Sequence, residues 1–356
     1  MGLGLPSINI AFQTTAITAI SKSDKGTVAL VLRDAQGGGS HSITNTTQIP
    51  AELGEANKAY IERTFLGYSN PPKKVLFYVV GEADELTAAY TYLATQKFDY
   101  LCLPPDATTA ECTTCKTWIA SQRLNNNATY KAVLPDTAAG SYAIVNFTTT
   151  GMTDGDTTFT AAQYCSRIAG LIAGTPMKIS CTYAPLSELT DIDRLTKDER
   201  TTAVDAGEFI LTHDGTKVKT ERAVNSLVTT TEDVGEAFKK IKIVEAVDMI
   251  NTDIRTTAED SYIGKYSNSY SNKCLLITAI KGYFDTLESD GILKKGYSTV
   301  EIDIEAQTNY LTSIGTDTTD MTEQEIKEAD TGSYVFIAAS VKILDAIEDI
   351  SISITL

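Results

Sequence analysis

The chain has 356 residues, of which 42% are hydrophobic and 21% charged, and its formal net charge is −16. That length admits two or three domains, and the acidic balance excludes an extended basic face for binding a phosphate backbone. No apolar run approaches the ~20 residues of a membrane span, and the opening MGLGLPSINIAFQ has neither a basic stretch nor an apolar signal core, so neither membrane insertion nor Sec export is expected.

Residues 3–21 alternate weakly, with Ile8, Ile10 and Phe12 on one side and Asn9 and Gln13 on the other, which reads as a strand with Pro6 at its tolerant front end. SKSDKG (21–26) reads as a turn or linker. TVALVLRD from Thr27 and KKVLFYVV (73–80) are nearly continuous apolar runs, the pattern of strands buried on both faces. A helix is expected at 82–97, with Leu86, Ala89, Tyr90 and Leu93 on one face. Another strand follows at 98–105, a helix at about 109–124, strands at 130–136 and 141–148, and a helix at 160–174. In that last helix Ala169, Gly170, Ala173 and Gly174 permit close packing. Strands and helices alternating across about 27–185 indicate a mostly parallel α/β sheet.

Asp214-Gly215 between two strand-like runs is a hairpin signal. Two long helices follow, at 241–260 and 269–289. Ile243, Val247, Ile250 and Ile254 recur at helical spacing in the first, and Leu276, Ile280, Tyr283 and Leu287 in the second. STVEIDIEA (298–306) reads as a strand, TEQE (322–325) as a capping box, and GSYVFIAASVKI (332–343) as a strand leading into the end of the chain. Residues 220–356 therefore read as a compact α+β unit, two helices on a sheet.

The chain closes on DAIEDISISITL. Ile350, Ile352, Ile354 and Leu356 fall on one face of a strand, and Ser351, Ser353 and Thr355 on the other. Burying the four apolar residues would stabilise by roughly 6–12 kcal/mol, and leaving them unpaired at a strand edge invites aggregation. The terminal strand is therefore expected to pair, with its own chain or with another by strand addition.

Chemistry-bearing motifs are sparse. The six cysteines read as reduced thiols, and Cys112-x-x-Cys115 has no second pair to complete a zinc site and begins an amphipathic helix. GGGS at 37–40 lacks a following Gly-Lys-Ser/Thr and reads as a loop. His41 and His213 are the only histidines, and the acids of LTDIDRLTKDER (189–200) are interleaved with Arg and Lys, as on a solvated helix or loop. No catalytic, cofactor or metal residue is assigned. A two-domain α/β enzyme, hydrolase-like, with intramolecular edge strands is the alternative reading.

Four stretches carry a resemblance. They are RIAGLIAGTPMKISCTYAPL (167–186), AGEFILTHDGTKVKTERAVNSL (206–227), the two-helix segment with Tyr262-Ile263-Gly264-Lys265 and Asn268 between its helices, and VFIAASVKILDAIEDISISITL around Asp345-Ala346-Ile347-Glu348. In order and spacing they resemble the sheath proteins of contractile phage tails, of the compact type found in prophages and R-type, diffocin-like bacteriocins. The resemblance implies an N-terminal arm at 1–24, an outer mostly parallel α/β domain at 25–219, a tube-facing C-terminal domain at 220–345 and a C-terminal arm strand at 346–356. The two arms, through Ile8, Ile10, Phe12, Ile350, Ile352, Ile354 and Leu356, would run to neighbouring subunits and complete a four-stranded sheet in the C-terminal domain. Hinges would lie at SKSDKG and ILDA (343–346). The implied partners are further copies in a helical array, the tail tube protein, and baseplate and tail terminator proteins, with no direct nucleic acid contact. The implied setting is a virion or bacteriocin tail assembled in the bacterial cytoplasm. Contraction would drive the tube through a cell envelope without nucleotide hydrolysis. Asp248, Asp253, Glu259 and Asp260 are the expected tube-facing residues, with Ile243, Val247, Ile250 and Ile254 in the core.

Overall fold

The computed structural model describes residues 19–23 and 25–355. The strand expected around Ile8, Ile10 and Phe12 lies outside the described residues, as does Leu356. The chain divides into two compact units, one of Ser23–Thr252 with Ile343–Leu356, the other of Asp253–Lys342 with the described residues before Ser23.

The first unit is built on strands β1 (Thr27–Arg33), β2 (Gly39–Ile43), β3 (Lys74–Val80), β4 (Tyr100–Cys102), β5 (Lys131–Pro135) and β6 (Ile144–Phe147). The short pair β7 (Met152–Thr153) and β8 (Thr158–Phe159) follows, and β9 (Glu208–Phe209) closes the main sheet. The seven-stranded order is β2-β3-β1-β4-β5-β6-β9. Every neighbouring pair runs parallel except β2 against β3. The continuous apolar runs of β1 and β3 follow from burial on both faces. Val28, Leu30 and Leu32 pack with Tyr60 and Ile61 of α1 (Glu55–Phe65) and Ile168 of α4 (Ala161–Ala173). Ala29 and Val31 pack with Ala89 and Leu93 of α2 (Thr87–Leu93) and Cys112, Cys115 and Ile119 of α3 (Thr109–Asn126). Burial pushes the Cys115 thiol up to about 12, so the CxxC pair packs as core rather than as a thiolate centre. The helix expected at 82–97 is shorter, and α1 is an additional element.

Helices α3, α4 and α5 (Lys197–Asp205) each begin with a capping box, Thr108 with Glu111, Thr160 with Gln163 and Thr196 with Glu199. The hairpin expected at Asp214-Gly215 joins β10 (Leu211–His213) to antiparallel β11 (Val218–Thr220). The small residues of α4 meet backbone directly. A Cβ on Gly170 would lie 1.9 Å from the Thr64 carbonyl oxygen of α1.

Helix α6 (Ile241–Ser261) contains the division between the units at 252/253, whereas the sequence places a domain boundary at 219/220. Its first turns carry acids inward. Glu245 accepts a hydrogen bond from the Tyr100 hydroxyl (2.6 Å) and pairs with Lys25 (2.6 Å) and Lys131 (3.4 Å). Asp248 pairs with Lys131 (2.9 Å) and Arg123 (2.7 Å). Burial alone would raise the Glu245 carboxyl, but Lys131 and Lys25 hold it at about 2. Asp99, which accepts from the Gly26 and Thr27 amides (both 2.8 Å), is raised by burial. The helix therefore sits rotated from its apolar periodicity. Ile243 is buried, while Val247 and Ile250, expected in the core, are half-buried, because paired acids share the face towards the sheet; Ile254, past the division, is also half-buried.

In the second unit α7 (Tyr270–Ser289) buries Ile280, Tyr283, Phe284 and Leu287 and packs against β12 (Thr299–Ile302), which pairs antiparallel with β13 (Ile337–Ser340). Asn268 donates to the carbonyl oxygens of Gly332 (2.8 Å) and Tyr334 (2.9 Å), which ties the start of α7 to the turn before β13. The strand expected to reach residue 306 stops at Ile302, because the Asp303 carboxylate accepts from the Ala306 amide (2.9 Å) and caps α8 (Ile304–Ser313). The capping box expected at 322–325 begins α9 (Glu323–Glu328).

Gly170→Ala should lose about 1–3 kcal/mol of stability in urea unfolding, because the new methyl has no room before the Thr64 carbonyl. Glu245 contributes stability that is complete above its ordinary 4.5 and is lost as pH falls towards about 2. The raised Asp99 acts in the opposite sense. Glu245→Gln should be less stable at neutral pH by about 3–5 kcal/mol. Its stability should fall less than the native protein's between those two pH values, in unfolding series at stepped pH.

Candidate assembly site

Residues 344–355 form no strand with any described segment. Ile350, Ile352 and Ile354 are 74%, 76% and 80% exposed. A strand requires a ladder partner for its amides and carbonyls; these residues have a strand's side-chain pattern and no described neighbour to complete it.

The segment just before them is held firmly. The Glu348 carboxylate, 5% exposed, accepts from the Thr182 hydroxyl (2.6 Å) and the Ser180 hydroxyl (3.2 Å), and lies 3.3 Å from the Lys240 ammonium and 3.7 Å from the Arg222 guanidinium. Arg222 also pairs with Asp349 (2.5 Å), and Lys240 with Asp345. The Lys242 ammonium donates to the Leu344 carbonyl oxygen (2.7 Å). The expected hinge ILDA is thus clamped at Leu344 and Asp345. These contacts were not anticipated from the sequence. Their signal is a charge pattern, acids at 345, 348 and 349 directly before the alternating run, opposite the bases of KKIK (239–242).

Glu348 and Asp349 form part of a polar cleft of about 370 Å³ that Arg200, Glu221 and Arg222 also line. Arg200 pairs with Glu221 at 2.7 Å and Arg222 with Asp349, so its charges neutralise one another rather than converge on a substrate. His41 stacks on Phe77 with its Nε2 2.8 Å from the Gly37 carbonyl oxygen, and His213 Nδ1 accepts from the Gly215 amide in the hairpin turn. Among the described residues no three His, Cys, Asp or Glu side chains are grouped to hold a metal ion, and no helix is long and apolar enough to cross a membrane.

The four acids expected to face a tube separate into two pairs. Asp248 is 6% exposed and engaged with Arg123 and Lys131, and Asp253 is 3% exposed and accepts from the Tyr283 hydroxyl (2.6 Å). Both are structural, which corrects their expected position on an outer face: a carboxylate this deep is stable only against a cation or a hydroxyl. Glu259 and Asp260 are exposed, and Glu259 lies 4.0 Å from the Arg255 guanidinium.

Comparison with known proteins gives this architecture its context. The phage tail sheath protein central domain matches residues 80–226, and the phage tail sheath C-terminal domain matches residues 233–356. The tail sheath protein of Clostridium phage phiCD119 is 38% identical over 99% of both chains. The crystal structure of a sheath tail protein from Desulfitobacterium hafniense superposes with a TM-score of 0.70 at 18% identity, covering 83% of this chain and 94% of that one. The sheath of an extracellular contractile injection system in its contracted state superposes with a TM-score of 0.68 at 11% identity, covering 100% of this chain and 98% of that one. The chain belongs to the phage tail sheath protein family, and its work is structural rather than enzymatic.

Proposed function

We propose that the chain polymerises with further copies of itself around a tail tube and contracts to drive that tube through a cell envelope. The subunits are linked by exchange of their terminal strands. The observation that carries this reading is the exposed Ile350–Ile354 run on a charge-fixed root, a strand presented with no described partner in its own chain. The two-stranded sheet β12–β13 in the second unit is a natural acceptor: residues 350–356 of one neighbour, and Ile8, Ile10 and Phe12 of another, would extend it to four strands. In this reading residues 1–24 and 346–356 are arms, 25–219 form the outer α/β domain and 220–345 the tube-facing domain. Baseplate and tail terminator proteins would close the ends of the array, within a virion or bacteriocin tail assembled in the bacterial cytoplasm.

Deleting residues 350–356 should leave a soluble subunit of native melting temperature that forms no tubes in negative-stain electron microscopy. Long tubes from the truncated chain would overturn the exchange reading. A subunit that fails to fold would point to pairing within the chain instead.

Glu259 and Asp260 are the remaining candidates for contact with the tube. The double variant Glu259→Lys/Asp260→Lys should fold normally and weaken extended sheath on its tube, by an amount that shrinks as salt is raised, because exposed charges are screened within about 10 Å at 0.1 M ionic strength. Assembly that is unchanged across the salt series would remove both residues from that surface.

A further inference from the structure

The roots of the two chain ends are pinned at one place. Lys25, which follows the N-terminal segment, sets its ammonium 2.6 Å from the Glu245 carboxylate, with the two side chains 13% and 4% exposed. Lys242, three residues earlier on the same helix, donates to the Leu344 carbonyl oxygen, and Lys240 pairs with Asp345 and Glu348. Lys25 and Glu245 line a single crevice with Ser180 and Lys242, the side chains that donate to Glu348 and to the Leu344 carbonyl oxygen, so the groups that hold the two roots surround one small space. The start of α6 therefore offers two bases to the C-terminal root and one acid to the N-terminal root. The sign of the charge sorts the ends, since either root in the other's place would face like charge. Glu245 is in turn bonded to the Tyr100 hydroxyl and Lys131, which fastens the helix start to the parallel sheet.

We propose that residues 240–245 are a common anchorage that joins the two arms of a subunit in series, so that a pull on one chain end reaches the other through the first turns of α6. The proposal rests on the arm-exchange reading above and adds to it a path for load within the subunit. Lys25, Lys240 and Lys242 are positioning residues: they touch no neighbour in this reading, and they fix where each arm leaves the body. Glu245 is unsuitable for a first test because it belongs to the buried charge network. Lys25→Met leaves Glu245 its Lys131 and Tyr100 partners, and Lys240→Met leaves Glu348 its Thr182, Ser180 and Arg222 partners, so both variants should fold.

The test uses the full chain with Lys25→Met, Lys240→Met, the double variant, Lys240→Arg as a charge-preserving control, and the deletion of 350–356. In the monomer, Lys240→Met should raise amide hydrogen exchange over 344–349 about tenfold, the scale of losing one charge-assisted contact, with the melting temperature held. In assembly followed by sedimentation and electron microscopy, each single variant should lose as much tube yield as the double, because either break opens the same path. Lys240→Arg should assemble like the native chain. Independent losses that multiply in the double variant would overturn the series anchorage, as would a Lys240→Arg defect equal to that of Lys240→Met. Native assembly of both single variants alongside failure of the deletion would sink the anchorage and keep arm exchange. Native assembly of the deletion would sink arm exchange and the anchorage with it.

Discussion

A buried ammonium governs this structure. Lys131 lies at the start of β5 with its side chain 4% exposed, and an unpaired cation at that depth would cost several kcal/mol. It is neutralised by Glu245 and Asp248, one helical turn apart on α6, and these acids are shared with Lys25 and Arg123. The rotation of α6 follows from that demand. With Glu245 and Asp248 turned inward, the ridge of Val247 and Ile250 is left half-buried, and the bases just ahead of and within the first turn, Lys240 and Lys242, come to the C-terminal root.

This also explains what the sequence did and did not disclose. The parallel sheet was legible because β1 and β3 are covered on both faces and carry unbroken apolar runs, a signal that needs no knowledge of partners. Helices α4, α6 and α7 were legible from periodicity and small-residue spacing, and the hairpin from Asp214-Gly215. The orientation of α6 was not, because periodicity assigns the apolar side to the core and here charge pairing outweighs it. Asp248 and Asp253 were misread for the same reason: an acid on a helix looks solvated until its cation or hydroxyl, up to 125 residues away in sequence, is in place. The capping boxes of Thr108, Thr160 and Thr196 were legible in principle, since each is a Thr followed three residues later by Glu or Gln. The early stop of β12 turns on a single Asp303 cap that alternation conceals.

The C-terminal segment shows a limit of another kind. Its alternation reads as that of a strand, and among the described residues it forms none, because backbone hydrogen bonding needs a second strand and none of the described residues supplies it. What the single chain does specify is the root, through the buried Glu348 carboxylate and the bases around it. Among the described residues two tasks that usually go together in a sheet are thus separate: the side-chain pattern is encoded locally, and no described segment completes the pairing.

That separation bears on register. Ile-Ser-Ile-Ser-Ile-Thr repeats every two residues, and a slip of two positions against any partner would present almost the same face. The run is nearly blind to its own alignment, so side-chain fit alone discriminates poorly among several equivalent pairings. Under the proposed strand exchange, the clasp at Asp345, Glu348 and Asp349 would supply the missing reference point, because it fixes the residue at which the run leaves the body and hence how far along a partner the run could reach. A repetitive run with a fixed origin behaves like a ruler with its zero nailed down: the graduations are interchangeable, and the nail makes the measurement.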